Sequence, residues 1–336
     1  MRPTRPLAVG ITPMETRLDV VLHLASRAEE LGYTAVFVGE GWGRDASVSL
    51  AAMAVRTSRI GLGTGVVNVW GRTPATIAML ATSLDELSGG RFVLGLGAGS
   101  PPLAEGLHDV AFHRPVERLG HTTRQVRRLL AGERIEPSVP GRGKPLRLGV
   151  RPSSPVPIQL AALGPQAVRL AGELADAWIP FLIPLSGLED WIGLLEDGAT
   201  RGRRESRPQI RPSIPVAVSP NPEAARQLAS WWVTFYLTTM GPLYARTLWN
   251  AGFGEAVDAV LATDRTSGPV TLPDRAEVLL DKLTVWGDPV AARAALDSWY
   301  DAGAEMPVLV LPPGRDLNEL VYVLETMRPS GTAVTR

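Results

Sequence analysis

Acids, histidines and glycines gather just after short apolar runs in this chain. Glu40 closes one run and leads into Gly41-Trp42-Gly43-Arg44-Asp45. A second ends in Gly65-Val66-Val67-Asn68, and a third in Gly95-Leu96-Gly97-Ala98-Gly99-Ser100, with Glu105, His108 and His113 beyond it. A fourth, Ala161-Ala162-Leu163-Gly164-Pro165-Gln166, enters a helical pattern. Glu40, Glu105 and His108 are groups that can give or take a proton. Glycines at strand ends let a planar ligand lie against bare backbone. Proline at a first helical position leaves the next free N–H groups and the helix dipole available to a phosphate. On composition alone, a plain helix start accounts better for Gly164-Pro165, and a rim carboxylate accounts equally well for Glu40.

The metal reading is weak. The histidines are His23, His108, His113 and His121, without an H-E-x-x-H motif, and there is no cysteine. That excludes thiolate zinc sites, iron–sulfur clusters, disulfides and thiol nucleophiles. No metal site is expected. The glycines at 95, 97 and 99 lack the G-x-G-x-x-G spacing of a dinucleotide fold, and Pro101-Pro102 follow Ser100.

The elements that must position these groups alternate. Apolar runs over 7–13, 34–40, 60–69, 91–99, 158–163, 178–183, 210–218 and 307–311 read as strands. Helical periodicity covers 18–32, 46–57, 74–87, 115–131, 165–175, 188–204, 289–302 and 317–327. Strands apolar on both faces belong to a parallel sheet covered by helices. Eight strand–helix units in alternation predict an α/β class fold, a (β/α)8 TIM barrel, with functional groups at the C-terminal strand ends. Residues 1–336 read as one domain, with a helical insertion late in the chain, at about 220–283. Residues 132–157 read as a surface loop with a small hairpin at 146–150. Trp231, Trp232, Phe235 and Tyr236 read as core packing first and as a lid over substrate second.

Composition fits a soluble enzyme. Of 336 residues 45% are hydrophobic and 20% charged, with 34 basic against 34 acidic. A zero formal charge offers no long-range field for nucleic acid or an anionic membrane. The N-terminal apolar stretch is interrupted by Gly10 and Pro13, so it does not read as a signal peptide, and no run is long enough to span a bilayer. A cytoplasmic protein with a small-molecule substrate is expected.

At these residues the chain resembles the luciferase-like monooxygenase family, and especially its F420-dependent oxidoreductase branch. The resemblance runs through 40–46, Leu62-Gly63-Thr64-Gly65-Val66-Val67-Asn68, Arg72-Thr73-Pro74-Ala75 and, most specifically, Leu84-Asp85-Glu86-Leu87-Ser88-Gly89-Gly90-Arg91. It continues at 161–165 and 170–176, fades after 185, and returns at Val285-Trp286-Gly287-Asp288-Pro289. It implies a barrel with F420, or alternatively FMN, at its mouth, and a homodimer. It also implies a non-proline cis peptide at Gly65–Val66 against the cofactor ring. Cofactor contacts would come from Gly65, Val66, Asn68, Gly97, Gly99, Ala162, Leu163, Gly164, Pro165 and Gln166, and proton handling from Glu40, Glu105 or His108. The chain departs from the family where Gln166 replaces a basic residue, and at Gly99-Ser100-Pro101 and Leu107-His108. Three readings remain: F420-dependent hydride transfer to or from a small organic substrate, FMN-dependent oxygenation, and a non-catalytic ligand-binding homologue.

Overall fold

The computed structural model describes residues 5–135, 143–263 and 272–330. Its first half alternates β1 (Ala8–Ile11), α1 (Leu18–Glu30), β2 (Ala35–Val38), α2 (Ala46–Ala54), β3 (Gly61–Thr64), β4 (Val67–Asn68), α3 (Pro74–Ser88), β5 (Phe92–Gly97) and α4 (Pro115–Leu130). It continues with β6 (Ile158–Ala161), α5 (Pro165–Leu174), β7 (Ala177–Trp178), α6 (Leu188–Arg201), β8 (Gln209–Ile210) and β9 (Ser213–Val218). Helices α7 (Pro222–Thr239), α8 (Pro242–Leu248), α9 (Gly254–Leu261) and α10 (Val278–Leu283) follow. The chain closes with β10 (Val285–Gly287), α11 (Pro289–Asp301), β11 (Val308–Leu311) and α12 (Leu317–Thr326).

The strand pairs are parallel, in the order β10-β9-β11-β1-β2-β3-β5-β6-β7-β8, with β4 beside β5. The alternation therefore yields the parallel α/β architecture expected. Only Arg211 and Pro212 separate β8 from β9. Across that break the Arg211 and Ser213 N–H groups donate to Trp178 and Pro180, while Pro212 accepts from Val308. Residues 209–218 thus serve both ends of the pairing order.

Four local readings change. The expected strand over 60–69 is broken at Gly65–Val66, where the peptide is cis, and β4 pairs with β5 alone. The run over 178–183 pairs as a strand only at its start. Beyond Trp178 it makes a single bridge from Phe181 to Ser213, because Pro180 has no N–H and Leu182 takes a positive φ of 54°. Residues 285–287, outside the expected strands, form β10 against β9 just ahead of α11. The hairpin expected at 146–150 is instead one antiparallel bridge from Leu146 back to Ile135. Helices occupy most of 222–283 as expected, and 264–271 lie outside the described residues.

Two apolar layers hold the sheet. Outward residues such as Val9, Val36, Leu62, Leu94 and Leu160 pack on helical Leu24, Leu50, Met53 and Ile77. Inward residues Ala8, Ala35, Phe37, Ile179, Met306 and Val308 form a smaller cluster. Phe37 lies in register between Gly10 and Gly63. A Cβ at Gly63 would sit 2.8 Å from the Phe37 ring and 2.6 Å from the Val93 carbonyl, and one at Gly65 would sit 2.9 Å from Phe37. These glycines therefore make room for one large interior ring.

Gly95 is the tightest such position, since a Cβ there would lie 1.9 Å from the Thr64 carbonyl oxygen. Gly95→Ala should lower stability by about 3 kcal/mol, the upper range for overpacking. Gly193→Ala, inside α6 with nothing within 4 Å, should raise it by about 0.5–1 kcal/mol. Urea midpoints at equal m-value check both signs.

Candidate active site

The C-terminal strand ends carry a linked polar arrangement. Glu40 follows β2, and its N–H donates to the Val66 carbonyl at 3.0 Å. Its carboxylate accepts from Arg72 at 2.7 Å and from the Ala46 N–H at 3.1 Å, the latter in the first turn of α2. Arg72 also pairs with Asp45, the N-cap of α2, at 2.9 Å. Hydrogen bonding to Glu40 raises the Arg72 guanidinium above its ordinary range. For Asp45, burial pushes upward, but bonds from Ser47 and Arg72 hold the carboxyl below the usual carboxylate range. Arg72 is therefore the middle of an ion-paired cluster, and Glu40, bound to it, is not a loose rim carboxylate.

Asn68 ends β4 and is 2% exposed. Its Oδ1 accepts the N–H groups of Trp70 and Gly71, both at 2.9 Å, and its Nδ2 lies 3.2 Å from His108 Nε2. His108 follows a π-helical turn, Pro102–Leu107, where a loop was expected. Two prolines and a glycine over 101–106 hide that turn from propensity reasoning. Trp70 holds the segments on either side of that turn: its indole donates to the Ala98 carbonyl at 2.6 Å, it packs on Phe112, and Arg118 lies over its ring at 4.4 Å. Glu105 lies apart. It is exposed and accepts the Phe112 N–H at 3.0 Å. Of the proton-handling candidates, contacts join Glu40 to the Val66 bulge and His108 to Asn68, but they join Glu105 to neither. His23, His113 and His121 are exposed.

The end of β6 supplies a different surface. Gly164 has φ 82° and ψ 149°, a conformation for glycine, and a Cβ there would meet nothing within 4 Å. Pro165 opens α5, which has no side-chain cap. Val168 donates back to Gly164, whereas the Gln166 and Ala167 N–H groups have no protein partner among the described residues. Open space above two free donors at a ten-residue helix start suits a phosphate. The Ala162 carbonyl accepts the buried Trp178 indole at 2.9 Å, which holds the loop. Beside β5, a Cβ at Gly97 would lie 2.7 Å from the Val66 side chain, and one at Gly99 3.3 Å from Asn68.

The opposite side is aromatic. Phe181, past β7, packs on Tyr236 with ring centroids 4.6 Å apart and edge-on to Tyr244 at 6.0 Å. Trp232 is wholly buried in the same cluster, so core packing explains it as expected, and Trp231 stacks on Phe235 outside it. Burial pushes the Tyr244 phenol up to about 12, so it stays protonated at neutral pH. Two features escaped sequence reasoning. Arg72 holds Glu40, and Thr12, at the end of β1, is buried with a hydroxyl that lacks a partner among the described residues. An arginine four residues after Asn68 gave a signal for the first; nothing in the sequence marks the second.

The family model for luciferase-like monooxygenases matches residues 5–306. The chain belongs to that family. Rv3520c of Mycobacterium tuberculosis, named as a coenzyme F420-dependent oxidoreductase, is 31% identical over 329 residues, covering 90% of this chain and 93% of its own. The 4-hydroxyprotoasukamycin monooxygenase of Streptomyces nodosus subsp. asukaensis is 32% identical over 261 residues, 70% of each chain. Among solved structures, the F420-dependent tetrahydromethanopterin reductase of Methanopyrus kandleri superposes with a TM-score of 0.73 at 18% identity, covering 97% of this chain and 98% of that one. The luciferase-like fold is thus present. Among the described residues no cluster of His, Asp and Glu could hold a metal ion.

Removing Arg72 leaves the Glu40 carboxylate, 10% exposed, with one backbone donor. Arg72→Ala should cost about 2 kcal/mol at pH 7, and adding Glu40→Gln should recover part of it, because an uncompensated charge costs more than a neutral amide. Denaturation of the single and double variants measures the coupling.

Proposed function

We propose that this luciferase-like protein is an F420-dependent oxidoreductase that transfers hydride between the deazaflavin and a small organic substrate. The observation that carries the reading is the pair of free N–H groups at Gln166 and Ala167 above the open Gly164 turn, at the end of β6, with β5 between it and the Val66 bulge. A phosphate-bearing deazaflavin or flavin fits that donor set. The cofactor supplies the hydride chemistry when bound. The chain's part is to seat the ring near Gly65, Val66, Gly97 and Gly99, to take the phosphate on 162–166, and to handle a proton from Glu40, Glu105 or His108. Asn68 acts there through what it holds. The relative named for F420 dependence, matched over nine-tenths of the chain, favours F420. The relative named as a monooxygenase favours FMN with oxygen as the second reading.

The same proposal covers the architecture. The strands close as a (β/α)8 barrel through residues 209–218, and α7–α10 are an insertion over its mouth. The packing of Met14, Phe181 and Val310 into the α7–α10 cluster supports this. A homodimer is supported by α2, whose sequence ASVSLAAMA carries no charge, and by exposed Val48, Val55, Met79 and Leu87 on α2 and α3 and at their ends. The proposal also takes the protein as cytoplasmic, without membrane or nucleic-acid partners; among the described residues no helix is long and apolar enough to cross a membrane.

Titration with F420 and with FMN, followed by fluorescence quenching, tests the reading. F420 should bind more tightly than FMN. FMN alone binding supports the second reading, and neither binding supports a non-catalytic homologue. Gln166→Ala should weaken F420 only slightly, since backbone donors remain. Gln166→Lys should tighten it by roughly tenfold, because a charge-assisted bond exceeds a neutral one by about 1 kcal/mol or more. Gly164→Val should abolish binding, and equal binding by this variant would place the phosphate elsewhere. A second measurement, mass in solution by light scattering, should show a dimer that Val48→Glu with Met79→Glu turns to monomer.

A further inference from the structure

Asn68 and His108 form a device whose polarity can be read from hydrogen bonds alone. The Asn68 side chain has one acceptor and one donor end. Two backbone N–H groups, from Trp70 and Gly71, both at 2.9 Å, require the oxygen end to face them. The amide nitrogen must then face His108 Nε2, at 3.2 Å. An N–H can bond there only if Nε2 carries no proton and accepts. The remaining proton of the neutral ring then sits on Nδ1, which has no protein partner among the described residues. The imidazole lies against Gly71, where a Cβ would come within 2.5 Å of Cε1 and 3.0 Å of Nδ1. Asn68 itself is buried at the end of β4, two residues after Val66 at the bulge.

We propose that Asn68 is a positioning residue that locks His108 in its Nδ1–H tautomer, so that His108 acts on substrate as a hydrogen-bond donor and not as a base. The inference rests on the oxidoreductase reading for its chemistry and not for the tautomer. The substrate class it selects carries a polarised double bond to oxygen or nitrogen, a carbonyl or an imine. In such a step the substrate carbon receives a hydride from the reduced deazaflavin, which is thereby oxidised. The π electron pair moves to the heteroatom, which takes its proton from water. The Nδ1–H group stabilises the negative charge that develops on the heteroatom and keeps its own proton. Glu40, tied to Arg72, and Glu105, turned to Phe112, do not make this contact with His108.

The test begins with nitrogen NMR of 15N-histidine-labelled protein without cofactor. The four histidines are resolved by the signal that His108→Gln removes. Wild type should show His108 protonated at Nδ1 and bare at Nε2. Asn68→Asp keeps an acceptor for Trp70 and Gly71 but replaces the donor facing the ring, so Nε2 should become protonated. Gly71→Ala should push the ring off Asn68 and return His108 to the tautomer mixture of an exposed histidine, with an unchanged melting temperature showing an intact fold. A wild-type Nε2–H, or no change in Asn68→Asp, would overturn the lock. In F420-loaded protein, acetone as a carbonyl probe should shift the Nδ1 resonance of wild type and not that of Gly71→Ala. Equal response, or none, would overturn the donor role. Failure of F420 to bind would instead contradict the oxidoreductase reading and leave the tautomer result standing on its own measurement.

Discussion

Thr64 pins the route of the chain out of β3, and the site depends on that route. Its hydroxyl both accepts from the Gly95 N–H and donates to the Gly95 carbonyl, each at 2.7 Å, and its own carbonyl accepts from buried Gln159 at 3.2 Å. Gly65 then donates to Val38, and Val66 receives the Glu40 N–H. From this fixed departure the chain re-enters beside β5 as β4 and delivers Asn68, Trp70 and Arg72 in succession. Asn68 holds His108, Trp70 ties down Ala98 ahead of the π-helical turn, and Arg72 neutralises Glu40. A buried threonine whose polar atoms are all engaged is worth more here than its size suggests, since each bond fixes a strand end.

The C-terminal strand ends carry two chemically different surfaces. One is polar and built from backbone: the Val66 bulge, the Asn68 turn and the free N–H groups of α5. The other is aromatic, with Phe181, Tyr236 and Tyr244 packed edge to face. The loop after β1 bridges them. Pro13 lies against Gly39, Gly41 and Gly43, where added Cβ atoms would come within 2.3–3.0 Å, while Met14 packs into the aromatic cluster.

Much of the fold could be read from periodicity, because parallel strands buried on both faces leave unbroken apolar runs and their helices end on Gly or begin on Pro. Gly89, with φ 67°, and Pro74 and Pro165 at helix starts show this. What escaped was set by pairing partners. The run through 65–69 is as apolar as its neighbours, yet only three-dimensional contact with β5 and Val38 breaks it in two. Residues 285–287 are too short to signal a strand until β9 lies beside them. Residue types and apolar runs placed Glu40, Asn68 and Gly164 at or just past strand ends, where the chain has them. Periodicity could not say that Arg72 binds Glu40, that Glu105 faces away, or that Gly63 serves Phe37, because each depends on distances between segments far apart in sequence. The family resemblance added the cis bond, which no local propensity would have suggested.

The central claim is that α5 and the Val66 bulge hold one cofactor between them. A crystal structure of the F420 complex tests it most directly. The account predicts the phosphate within hydrogen-bond distance of the Gln166 and Ala167 N–H groups, with the deazaflavin ring against Val66. A phosphate bound away from residues 164–167, or a ring on the aromatic side against Tyr236, would contradict it.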